Sequence, residues 1–255
     1  MCADNQGTGS DTWEYFAKLR PIGQFSLIAC AGVQSYFELL IDYVEDALSE
    51  AGSKDYYKTL NSAIDSYCAQ IRKRTEEVGY PPSLLKELVK QSYPQGVFAT
   101  YDRSLERYRL FEIATPHPCV EVPKYPRRAT VGSGSRPAFV FLKNVEYLML
   151  RKELQLHWTD FSMKLVAQFC TILLRRIEHV DPFTAGSIFY TLGKEFGVAP
   201  LPAAKIWENC QEKYQLTSLL KNAISEIPKQ KSMALLNTYE LTNLAQWLGL
   251  LLAQE

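Results

Sequence analysis

The sequence predicts an all-α fold, mainly helical, with two helical lobes flanking an irregular middle segment that contains at most short β-structure. Three observations carry this expectation. Apolar residues recur at three- and four-residue spacing over long tracts on either side of the middle, prolines crowd the middle itself, and no period of 20 to 50 residues repeats. The expected organisation is a flexible tail over residues 1–11, an N-terminal helical lobe over 12–93, a basic, proline-rich connection over 94–136 and a C-terminal helical lobe over 137–255.

Taken in order, residues 1–11 are small, polar and glycine-bearing, which reads as a tail. From Phe25 to Leu48 the residues Ile28, Tyr36, Leu40, Ile41, Val44 and Leu48 keep helical spacing, and Gly52 supplies a stop. Asp55 is placed to cap a second helix whose inner face is Leu60, Ile64, Tyr67, Cys68 and Ile71, ending near Gly79 and Pro81-Pro82. A short third helix is expected over Ser83 to Tyr93. Between Pro94 and Pro137 five prolines follow Thr115, so a helix cannot continue there. Within that stretch Arg107 to Ile113 alternates weakly and suggests a strand or small hairpin.

Pro137 opens the longest periodic tract, which is expected to split between His157 and Asp160. Leu165, Phe169, Ile172, Leu173 and Ile177 form the inner face of its second helix. Asp181-Pro182 restarts a helix, and two more are expected, one through Leu220 and one from Ser232 to Leu252. Ile188 to Trp207 resembles a helix-turn-helix, with Gly193 for close contact, Gly197 at the turn and Val198, Ala203 and Ile206 inside. Its second helix offers only Lys205 to a groove and Glu208 would repel phosphate, so a structural corner is the expectation.

Composition bounds the function. Lysine plus arginine equals aspartate plus glutamate at 28 each, so no overall field draws the chain to nucleic acid or an anionic membrane. Neutrality also removes a barrier to self-association. The six cysteines, Cys2, Cys30, Cys68, Cys119, Cys170 and Cys210, form no C-x-x-C pair and read as reduced thiols. The first residues lack the features of a signal peptide, and Gln34, Glu38, Lys164, Gln168 and Arg175 interrupt the apolar tracts. A soluble, intracellular, cytoplasmic protein without a membrane span is expected, with the nucleus as the alternative compartment.

Nucleotide-cradle, zincin, nucleophile-elbow and EF-hand motifs are missing from the sequence, and Gly132-Ser-Gly134-Ser is expected in a proline-rich loop rather than between a strand and a helix. With three histidines, none at finger spacing to a cysteine, neither a metal site nor a cofactor is expected. No catalytic set is assigned. One pair stands as a candidate: Arg151 and His157 enclose five residues, which resembles the R-x(4-6)-H motif of HEPN ribonucleases. That resemblance implies an all-α protein in which the arginine and histidine cleave RNA at a dimer interface. Lys152 departs from the asparagine, aspartate or histidine that usually follows the arginine.

Two further groups are candidates for binding. Lys124, Tyr125, Arg127, Arg128 and Arg136 interleave cations with an aromatic in the proline-rich stretch, a composition that could follow a phosphate backbone, and Arg72, Lys73 and Arg74 could extend it. Leu244, Trp247, Leu248, Leu251 and Leu252 concentrate apolar surface near the end of the chain and are interface candidates. The leading expectation is a non-catalytic subunit or adaptor that binds protein, either a partner or a copy of itself, within an oligomer or larger assembly. A nucleoprotein-type assembly protein with a basic groove is the alternative, and a HEPN-like ribonuclease the third.

Overall fold

The computed structural model describes residues 2–3, 6–8, 13–15, 18–51, 55–79, 93–123, 128–149, 158, 163–181 and 188–201. The short strands β1 (Cys2–Ala3), β2 (Gln6–Thr8) and β3 (Trp13–Tyr15) are followed by β4 (Leu19–Ile22) and β5 (Ser26–Ala31). Helices α1 (Gln34–Ala51) and α2 (Tyr56–Val78) lead to β6 (Gln95–Asp102), β7 (Arg107–Ala114) and β8 (Val120–Glu121). Helices α3 (Ser135–Met149) and α4 (Met163–Val180) precede β9 (Ile188–Gly193) and β10 (Gly197–Leu201).

The fold is therefore mixed α/β, which corrects the all-α, alpha-helical expectation and with it the fold that a HEPN resemblance implies. Five antiparallel strands in the order β4-β5-β6-β7-β8 form the main sheet, β1-β9-β10 form a second, and β2 and β3 pair separately. The main sheet is apolar on both faces. Ile22, Ile28, Cys30, Phe98, Phe111 and Ile113 point to one side and join Phe37, Leu40, Ile41 and Val44 of α1 and Leu60, Ile64, Tyr67 and Ile71 of α2 in one buried cluster. The alternate residues Leu19, Leu27 and Ala29 point to the other side and meet Tyr190, Leu192 and Val198 of the second sheet. Helices α3 and α4 pack through Ala138, Phe141, Leu142, Leu173 and Ile177, and α4 meets β1. The layers thus run helices, sheet, sheet, helices.

A strand buried on both faces is apolar at nearly every position, so period-two alternation disappears. β5 is such a strand, with Ser26 through Cys30 all buried. The tract read as one helix from Phe25 divides into β5 and α1, and Gly32, at φ +134 with an ideal Cβ 3.2 Å from Pro94 Cα, turns the chain between them. The other correction is the helix-turn-helix. Ile188–Gly193 and Gly197–Leu201 are paired strands in register Val198↔Leu192 and Pro200↔Tyr190, and Gly197, at φ +76, makes the hairpin turn. Pro200 is accommodated because β10 is an edge strand, as β4 is for Pro21.

Helix signals that act within one turn are found where the sequence places them. Asp55 Oδ1 accepts from Lys58 N at 3.2 Å at the start of α2, and Gly79 closes it in the left-handed conformation at φ 65. Phe169, Leu173 and Ile177 of α4 are buried. Residues 83–92 of the expected helix over Ser83 to Tyr93, and the helices expected through Leu220 and from Ser232, lie outside the described residues.

Cys30, Cys68 and Cys119 are buried and unbridged. Burial pushes the Cys30 thiol up to about 12, against the opposing pull of Arg20, and the Cys119 thiol up to about 11. Because the thiolate is the nucleophile, these residues are expected to resist iodoacetamide at neutral pH in the native protein and to react once it is unfolded in guanidinium. Peptide mass spectrometry of the two samples checks this. Labelling of Cys30 in the native state would mean that the sheet–helix core opens.

Candidate interaction face

Three hairpin tips meet at one end of the sandwich. The β4–β5 turn carries Phe25, the β6–β7 turn carries Arg103 to Glu106 and the β9–β10 turn carries Lys194 to Phe196. They are tied together by backbone: Tyr101 N donates to Phe25 O at 2.9 Å, and Val198 N donates to Gln24 O at 2.7 Å. Gly193 leaves the space that the Phe196 ring occupies, and a side chain at Gly197 would strike Gln24. Phe25 lies 6.5 Å from Tyr101 between ring centroids, Tyr101 lies 5.0 Å from Tyr108, and the Arg103 guanidinium stands 5.2 Å over Phe25.

Large apolar side chains stand out from this end. Leu105 is 53% exposed, Tyr108 41% and Phe196 56%. A leucine and a phenylalanine at the tips of tight turns cannot contribute much to their own core, so a rigid turn presents them to solvent or to another surface. The rigidity comes from Asp102. This buried carboxylate accepts from Ser104 Oγ at 2.6 Å, Ser104 N at 3.0 Å, Leu105 N at 3.2 Å and Arg109 Nη1 at 3.3 Å. Arg109 in turn donates to both oxygens of Glu121, at 3.1 and 2.7 Å. Glu106 completes the turn at φ 48.

Burial of Asp102 disfavours its charged form, but the hydrogen bonds from Ser104, Leu105 and Arg109 outweigh that and hold its carboxyl below the usual value. A depressed folded-state pKa stabilises the protein at any pH above the unfolded value, about 3.9, and that contribution is lost as pH falls through the folded pKa. Urea midpoints are therefore expected to fall below about pH 4, and Asp102→Asn is expected to be less stable at pH 7 with a flatter acid limb. Equal slopes for both proteins would remove Asp102 from this role.

At the opposite end, the Gly132-Ser-Gly134-Ser stretch lies at the N-terminus of α3 rather than in an open loop. Ser135 N donates to Gly132 O at 3.1 Å and Ala138 N donates to Gly134 O at 3.1 Å. Gly132, at φ +93, brings the backbone against Ala31, with an ideal Cβ 3.1 Å from that of Ala31. Ser133 Oγ donates to Asp181 Oδ2 at 2.6 Å, joining the start of α3 to the end of α4.

The remaining sequence candidates separate as follows. Arg151 and His157 lie outside the described residues, as do Lys124, Tyr125 and Arg127 and the terminal group Leu244, Trp247, Leu248, Leu251 and Leu252. Arg128 donates to the buried carboxylate of Glu146, which also accepts from Trp158 Nε1 at 2.8 Å, and its guanidinium stands 4.9 Å over Phe139. Arg136 is exposed on α3, and Arg72, Lys73 and Arg74 are exposed on α2. Among the described residues, no group of three or more histidine, cysteine, aspartate or glutamate side chains could hold a metal ion. No helix among them is long and apolar enough to cross a membrane.

Two packed sheets between two helix pairs, with this strand order, allow comparison with solved structures. The fold is similar to that of Anbu. The structure titled "Anbu (ancestral beta-subunit) from Yersinia bercovieri" superposes with a TM-score of 0.55 at 11% identity, over 84% of this chain and 89% of that chain. At that identity the likeness to Anbu is one of fold. No protein-family model and no curated protein matches the sequence.

Proposed function

We propose that this chain is a subunit that works by associating with other protein chains of its own kind, rather than by a chemistry of its own. The observation that carries this reading is that, among the large apolar side chains left exposed, Leu105 and Phe196 stand on turns held by hydrogen bonds at one end of the sandwich. Equal numbers of acidic and basic residues agree with it, because nothing in the overall charge keeps copies apart. So does the likeness in fold to Anbu, an ancestral beta-subunit by name.

The nucleic-acid alternative keeps Arg136, Arg72, Lys73 and Arg74, which are exposed, and loses Arg128. Arg128 is engaged by Glu146 and Phe139 and is not available to a phosphate backbone. Sedimentation velocity over a hundredfold range of concentration tests the subunit reading. A weight-average sedimentation coefficient that rises with concentration is expected, at both low and moderate salt. A monomer at every concentration would remove it.

A further inference from the structure

We infer that the end of the sandwich formed by the three hairpin tips is the self-association surface, and that its occupant is the same surface of a second copy. The proposal rests on the subunit reading and adds to it a place and a symmetry. The apolar part is Phe25, Leu105, Tyr108 and Phe196. The same tips carry four exposed charges, Arg103 and Glu106 on the β6–β7 tip and Lys194 and Glu195 on the β9–β10 tip, two of each sign, with the Arg103 guanidinium over the Phe25 ring.

A surface that carries apolar side chains and charges of both signs pairs with a second copy of itself where a two-fold axis sets each cation opposite an anion. When a two-fold axis passes through it, residue i of one copy meets residue j of the other, and the reverse contact is made at the same time. The β6–β7 and β9–β10 tips each offer both signs, so the two-fold can bring a cation opposite an anion on both sides of the axis. A strongly acidic or basic partner would gain little from such a surface, whereas a second copy matches it in size, polarity and charge. The tips are also prepared for docking. Asp102 fixes the β6–β7 turn, and the Val198-to-Gln24 bond fixes the β9–β10 turn against β4–β5, so little conformational entropy remains to be lost on contact.

The test uses two charge variants of the full chain, Arg103→Glu with Lys194→Glu, and Glu106→Lys with Glu195→Lys. An apolar variant, Leu105→Glu with Phe196→Glu, and Val180→Glu, at an exposed position outside the tips, complete the set. Melting curves establish that each is folded. In sedimentation velocity, each charge variant alone is expected to associate about tenfold or more weakly than the unaltered chain, and the apolar variant to lose association altogether. An equimolar mixture of the two charge variants is expected to regain it, while Val180→Glu behaves as the unaltered chain.

Unchanged association of the tip variants would overturn the location while leaving the subunit reading in place. Weakening by the single variants without rescue in the mixture would overturn the two-fold pairing of like surfaces. A monomeric unaltered chain would end both.

Discussion

Phe98→Ala is expected to destabilise the protein by about 3–5 kcal/mol, with a fall in melting temperature on the order of 10 °C. Phe98 has no exposure and lies in β6, at the middle of the main sheet. Its ring is 6.0 Å from Tyr56 at the start of α2 and 6.2 Å from Phe111 on β7, so it joins the sheet to the helix layer. Truncation removes the transfer energy of the ring and leaves a cavity that a five-stranded sheet cannot close without breaking its register with Ile28 and Phe111. Phe98→Leu keeps most of the volume and is expected to cost less than half as much. Thermal unfolding followed by circular dichroism checks both. Equal, small effects would mean that the sheet and helices α1 and α2 do not share one core.

Arg128→Ala is expected to have a comparable effect, about 3–5 kcal/mol. The change leaves the Glu146 carboxylate, whose side chain is 6% exposed, with Trp158 as its remaining hydrogen-bond donor among the described residues. A buried charge stripped of its counter-charge loses its Coulombic partner and keeps its desolvation penalty. It also removes the guanidinium from over Phe139, which stands on the exposed side of α3. Arg128→Met combined with Glu146→Leu removes both charges and is expected to recover most of the loss. A double-mutant cycle by urea unfolding measures the coupling, and additive losses would show that the pair contributes nothing specific.

How much of this was legible in the sequence depends on the range of the forces that shape each element. The cap at Asp55, the stop at Gly79 and the apolar stripe of α2 are set within a turn or two, and they appear in place. The strands are set by what covers them. β5 has Ile28 and Cys30 under α1 and α2 and Leu27 and Ala29 under β9 and β10, so it reads as an unbroken apolar run continuous with the helix after it. Pro21 and Pro200 argue locally against strands, and they are tolerated because tertiary pairing puts β4 and β10 at sheet edges. Gly193 and Gly197 suit a helix corner and a β-turn equally, and only the pairing of Ile188–Gly193 with Gly197–Leu201 decides.

The proposed interaction face was harder to read. Phe25, Leu105 and Phe196 are far apart in sequence, and each sits in a short polar turn that carries no motif. The signal available was the turn itself, a single large apolar residue beside charges in Arg103-Ser104-Leu105-Glu106 and Lys194-Glu195-Phe196, where a solvated loop has no use for it.

Amide hydrogen exchange at low and high protein concentration tests self-association through the tips most directly. Protection that grows with concentration in peptides spanning Gly23 to Phe25, Arg103 to Glu106 and Lys194 to Phe196 is the predicted result. Concentration-dependent protection confined to α3 and α4, with the three tips unchanged, would contradict it.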